Sequence, residues 1–167
     1  MNAMVEKRMA LLLILVASAA LVGAALLFQY VGGLQPCELC LYQRWPYYAA
    51  IVLSLLALGA GRRGMMVAIV ALCGVLFLAN AGLAFYHVGV EQHWFAGPTA
   101  CTGGVPAAGD LADFKARLMA RQPVNCDEPQ WSLFGITLAG WNLLASIILT
   151  LFCAGALRRG AANREAT

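Results

Sequence analysis

Charge is what this chain has least of. Of its 167 residues, 11% are charged and 62% are hydrophobic, against roughly 25% and 45–50% in an ordinary soluble domain. No Asp, Glu, Lys or Arg falls between Leu11 and Phe28, Ile51 and Leu58, Val67 and Phe85, or Phe134 and Phe152. The overall scarcity excludes a soluble globular domain. The lack of any ion at mid-membrane depth argues against a small multidrug exporter, which wants one there. Leu41 follows Cys40 where a c-type haem attachment motif needs His, so that cofactor is excluded too. The formal net charge of +3 reads as a signal of topology, and a nucleic-acid partner is not expected.

What is present is a set of apolar runs. They predict four spans, at about residues 10–31, 44–60, 65–87 and 133–157, each near the ~20 residues a bilayer requires. The fold class expected is an all-α membrane protein, a single four-helix bundle over residues 1–167 with outer loops at 32–43 and 88–132. The first apolar run continues through Phe28, longer than the roughly 7 to 15 residues of a secretory signal core, and is read as a retained span. Lys7 and Arg8, Arg62 and Arg63, and Arg158, Arg159 and Arg164 all fall on one side. The positive-inside rule makes that side cytoplasmic, with both termini.

Six cysteines divide by location. Cys73 and Cys153 lie within spans, where a thiol behaves as a small apolar side chain. Cys37 and Cys40 lie in the first outer loop, Cys101 and Cys126 in the second, where disulfides persist. Four outer cysteines allow three pairings. Two structural staples, Cys37 to Cys40 and Cys101 to Cys126, are the plainest, yet closing so small a ring as Cys37-Glu38-Leu39-Cys40 removes little unfolded-chain entropy. A reactive pair explains it better. A four-thiolate zinc site is disfavoured by the wide separation of the second pair and by an oxidising exterior, and a metal cluster of His87, Glu91 and His93 by its span-end context. No metal is expected.

Arg44 stands four residues beyond Cys40, one helical turn along. If a helix begins near Leu39, its positive end and the Arg44 guanidinium both favour a thiolate nearby. Trp45, Tyr47 and Tyr48 are expected as an interfacial aromatic cluster, and Asn80 and Asn142 as hydrogen bonders between helices. His87 closes the third span at a depth comparable to Arg44, a place for a donor to a carbonyl. In the long outer loop, Leu111, Phe114 and Leu118 recur at helical spacing, predicting a short amphipathic helix lying on the bilayer over 110–119.

The segment Cys37-x-x-Cys40-Leu41-Tyr42-Gln43-Arg44, the outer pair Cys101 and Cys126, and Gln130-Trp131-Ser132-Leu133-Phe134-Gly135 together resemble the DsbB family of bacterial inner-membrane disulfide bond formation proteins. The resemblance covers all four expected spans and both outer loops. It implies a thiol:quinone oxidoreductase with its redox cysteines in the periplasm. The enzyme would reoxidise a DsbA-like, thioredoxin-fold periplasmic partner and pass the electrons to ubiquinone or menaquinone. It further implies that Cys101 meets the partner's thiolate, that the released Cys126 attacks Cys37, and that Cys40 faces the quinone, with Arg44 stabilising charge there and His87 close by. Glu38 and the His87-x-x-x-Glu91 segment depart from the most familiar family pattern. The rival expectation is a structural four-span protein with disulfide-braced outer loops.

Overall fold

Leu, Ala and Val dominate the first forty residues, and they build a helix. The computed structural model describes residues 2–98 and 125–165, of which α1 (Asn2–Tyr30) is the first element. Gly33, in the left-handed region at φ 69°, ends the run, and the Leu34 N–H turns back to the Phe28 carbonyl at 3.0 Å. A short helix α2 (Glu38–Tyr42) follows, with Cys37 at its N-cap. Then comes α3 (Trp45–Ala60), which begins with Pro46 in its first turn and stops at left-handed Gly61. The expected start near Leu39 therefore divides into two helices, which set Cys37 and Arg44 at two successive N-termini.

α4 (Arg63–Glu91) is a further long helix. It runs past the expected end at residue 87 because Gly89 and Val90 continue its buried face. The span expected at 133–157 starts later. Ser132–Leu133 (β1) and Ile136–Thr137 (β2) pair antiparallel as a small hairpin, Ser132 opposite Thr137. Its two turn residues, Phe134 and Gly135, both have positive φ, at 53° and 77°, as a tight right-twisting hairpin turn demands. α5 (Leu138–Glu165) then completes the described chain. The amphipathic helix expected at 110–119, and Cys101, lie outside the described residues.

The helices pack α4 on α5, α1 on α3 and α3 on α4. Leu11, Ile14, Ala50, Val70 and Phe77 are buried between them together with Cys73 and Cys153, which are 0% exposed as packing residues should be. Small residues let the helices close. A Cβ on Gly74 would stand 3.1 Å from the Cys153 Cβ. The outside is as apolar as the inside, with Leu12, Val16, Val52, Leu55, Leu78, Ile148 and Leu151 all exposed. Water would not tolerate such a belt on a monomer; lipid does.

Three helices are long and apolar enough to cross a membrane, over Met4–Tyr30, Arg63–Glu91 and Leu138–Arg159. α3, at 16 residues, is about 24 Å long. The molecule is mostly helical and passes the membrane more than once. At one end Lys7 Nζ donates to the Ala156 carbonyl, joining the start of α1 to the end of α5. Cys37, Cys40 and Cys126 lie at the other.

Candidate functional site: a thiol pair at the mouth of an apolar cavity

Cys37 caps α2, and its Sγ accepts the Cys40 backbone N–H at 3.3 Å. That turn also sets the two sulfurs 2.9 Å apart. Two thiolates on one tetrahedral zinc would stand roughly 3.8 Å apart from their bond lengths. The spacing therefore suits a redox pair better than two ligands of one metal, although His87 brings a third donor atom within 4.8 Å of both sulfurs. His93 is turned elsewhere, its ring meeting the Glu91 carbonyl at 3.2 Å.

The two sulfurs are electrostatically unequal. The hydrogen bond from Cys37 holds the Cys40 thiol below its usual range, against burial and the charges of Cys126 and Glu91, which push it up. Cys37, as donor, is pushed up to about 12 by that same bond and by burial, with His87 pulling the other way. One proton is thus retained between the two sulfurs while the other is released easily, and Cys40 is the member that becomes the nucleophile.

Cys126 is brought to the same place. It is 2% exposed and packs with Cys37, Leu39 and Val90, with Cys40 alongside. The neighbouring Gln130 holds it there, because its amide forms a two-way bridge to the Gln35 backbone. Gln35 N–H donates to Gln130 Oε1 at 3.1 Å, and Gln130 Nε2 donates to the Gln35 carbonyl at 2.7 Å. Trp131 then rests on Phe28 with ring centroids 4.9 Å apart. Residues far apart in the chain are so pinned across the top of α1.

Beneath the sulfurs lies a cavity of about 580 Å³ between the helices, mostly apolar, lined among others by Cys37, Cys40, Arg44, His87, Glu91 and Trp141. Arg44 Nη1 donates to Gln29 Oε1 at 2.6 Å, which fixes the guanidinium against α1 and keeps it at the cavity. His87 is 2% exposed. Its Nε2 is 3.6 Å from Cys37 Sγ and 4.0 Å from Glu91 Oε1.

A line of polar groups sets the ring's orientation. Tyr47 O–H donates to Asn142 Oδ1 at 2.6 Å and also meets Ser146 Oγ at 2.9 Å. Asn142 Nδ2 donates to Gln43 Oε1 at 2.5 Å, and Gln43 Nε2 reaches His87 Nδ1 at 2.8 Å. With a donor on Nδ1, the neutral ring carries its proton on Nε2, facing Cys37. Tyr47, expected at the interface, is instead 4% exposed and lies tilted against Phe77, with ring centroids 5.7 Å apart. Its hydroxyl has a buried partner to satisfy, which outweighs the headgroup preference. The expected bridging by asparagines holds, with Asn80 Nδ2 donating to Ser146 Oγ at 3.0 Å.

Five of the six expected site residues thus lie within the described structure, and they come together: Cys37, Cys40, Cys126, Arg44 and His87. The supporting residues Gln29, Gln43, Tyr47, Gln130 and Thr137 were not assigned site roles from sequence. Their signal was a Gln, Tyr or Thr within or beside an apolar segment, where each buried polar group needs a partner.

A membrane-embedded helical bundle with a dithiol, a third cysteine against it and an apolar cavity beneath is the frame of a thiol–disulfide exchange protein. The family described as Disulfide bond formation protein DsbB matches residues 7–156, and the chain belongs to that family. It is 33% identical over 154 residues to Disulfide bond formation protein B of Haemophilus influenzae, covering 87% of this chain and 85% of that one. To the protein of the same name from Cupriavidus metallidurans it is 34% identical, covering 89% and 91%. An uncharacterized protein of Rickettsia prowazekii, RP370, is 28% identical over 84% of this chain and 82% of its own. No solved structure matches the chain.

Proposed function

We propose that this protein is a thiol:quinone oxidoreductase of the bacterial inner membrane, which reoxidises a DsbA-like periplasmic dithiol partner and delivers the electrons to a membrane quinone. The observation that carries the reading is the convergence of Cys37, Cys40 and Cys126 at the mouth of one apolar cavity that also holds Arg44 and His87. A brace needs no such cavity and no third sulfur packed on the pair.

In this reading Cys101 receives the partner's thiolate, Cys126 is released and attacks Cys37, and Cys40 leaves as the thiolate. The charge asymmetry of the pair favours that outcome, since Cys40 is the better leaving group. The cavity fits a quinone head by its size and apolar walls, with Arg44 and His87 as the polar groups that would hold its carbonyls. A bound quinone, ubiquinone or menaquinone, supplies an acceptor for two electrons and two protons. Arg44 would steady negative charge there, and the Nε2–H of His87 would serve as a fixed donor.

The topology belongs to the same proposal. α3 counts as a fourth span when α2 completes its outer end, and the termini, with Lys7, Arg8, Arg158 and Arg159, face the cytoplasm. The test is purified protein mixed with a reduced thioredoxin-like dithiol partner and quinone, followed by quinone absorbance. Turnover with Cys37, Cys40, Cys101 and Cys126 all present, and its loss on replacing each by Ser, is the expected result. Absence of turnover with either quinone class would return the rival reading of a disulfide-braced structural protein.

A further inference from the structure

Glu91 is a carboxylate in a place that disfavours one. It ends α4 beside the thiol pair, its side chain 6% exposed, and it lines the same cavity as Cys37 and Cys40. Thr137, from the hairpin strand β2, donates to its Oε2 at 2.6 Å, which leaves Oε1 toward His87. An ionisable group set this deeply at a membrane edge is costly, and such groups concentrate where protons move.

His87 does not serve as the base itself. Gln43 donates to Nδ1 and the ring's own proton occupies Nε2, so both nitrogens are committed. The titratable and charged groups around Glu91 are His87 on its own helix, Cys37, Cys40 and Cys126 across from it, and Arg44 in the cavity wall. Among the described residues lining that cavity, Glu128 is the other carboxylate, and it is exposed. Glu91 is therefore the carboxylate whose side chain is buried in the same cavity wall as the sulfurs, with the His87 ring between it and Cys37.

We propose that Glu91 is the proton acceptor of the thiol pair, held for that task by Thr137. The role rests on the quinone reading above. When the S–S bond forms, the Cys40 thiolate and the Cys37 S–H supply the two sulfurs, the Cys37 S–H bond breaks, and two electrons leave for the bound quinone. Glu91 takes the Cys37 proton as that sulfur closes the disulfide, with His87 Nε2 standing 3.6 Å from Cys37 Sγ and 4.0 Å from Glu91 Oε1. That proton ends on one oxygen of the reduced quinone, a second from water ends on the other, and Glu91 returns to its carboxylate.

The experiment compares the parent with Glu91→Gln, which retains an acceptor for Thr137. Two measurements are made: the alkylation rate of the reduced protein against pH, without quinone, and quinone reduction against pH. Removing the negative charge should move the alkylation midpoint of the reactive thiol to lower pH. Quinone reduction near neutrality should fall by about 10²-fold, the usual contribution of a positioned acid or base, and recover as pH rises. Thr137→Val should give part of that loss, and Thr137→Ser should restore the parent's rate. A Glu91→Gln protein with the parent's alkylation midpoint and the parent's pH–rate profile overturns the role of Glu91 alone. A parent that exchanges thiols yet never reduces quinone overturns the quinone reading and this role with it.

Discussion

Replacing Gln43 by Leu separates what its amide does for the fold from what it does for the site. The amide makes two bonds between segments, to His87 Nδ1 at 2.8 Å and from Asn142 Nδ2 at 2.5 Å. Hydrogen bonds between membrane helices average about 0.6 kcal/mol, so the bonds alone account for about 1 kcal/mol. His87 is 2% exposed, so its Nδ1, left unpaired, adds about 1–3 kcal/mol where water cannot reach it. A loss of about 2–4 kcal/mol leaves the bundle folded. The effect on the site is a separate one. Once Nδ1 has no donor the ring is free to turn, and Nε2–H no longer faces Cys37. A hydrogen bond to that protonated sulfur is worth roughly 0.5–1.5 kcal/mol, which is about 2- to 10-fold in rate. Turnover with partner and quinone should fall by that factor while the unfolding transition in detergent shifts modestly. Gln43→Glu is the control. It can accept from Asn142 and from an Nδ1–H, so it should recover the stability while reversing the ring's tautomer and displacing the pH–rate profile. Unchanged turnover in Gln43→Leu, with stability alone reduced, would refute the idea that this amide orients a working histidine.

Other outcomes test separate parts of the site. In the reduced protein one sulfur of the Cys37–Cys40 pair should be alkylated at pH values below those of an ordinary thiol, and its partner should resist until near pH 12. Two sulfurs titrating alike would contradict the assigned asymmetry. Arg44→Gln should weaken quinone use, read as a raised KM, more than partner exchange, and Gln29→Leu should give a smaller effect in the same direction because it releases the guanidinium. Cys126→Ser should stop turnover and leave Cys101 as a lone thiol, which attacks the disulfide of an oxidised partner and holds it as a mixed disulfide, as seen by nonreducing electrophoresis. Cys73→Ser with Cys153→Ser should lower stability, both sites being 0% exposed, and leave turnover intact.

The sequence alone determined that this chain belongs in a membrane, because burying so few charges and so much apolar surface has no other stable solution. It also marked Cys37, Cys40 and Arg44, since a CxxC with a guanidinium one turn on is a local pattern fixed by helix geometry. The tertiary structure decided what local pattern cannot carry. Cys126 meets Cys37 through packing with Leu39 and Val90 and beside the bridge from Gln130 to Gln35, 95 positions away. The proton on His87 is placed by a chain from Tyr47 through Asn142 to Gln43, drawn from three separate segments. Glu91 acquires its partner Thr137 from a hairpin that replaced the expected first turn of the last span, and a Phe at positive φ gave no sign of that turn. Apolar periodicity places helices in lipid, whereas the pairing of buried polar groups depends on which faces meet, and that is settled only when the helices pack.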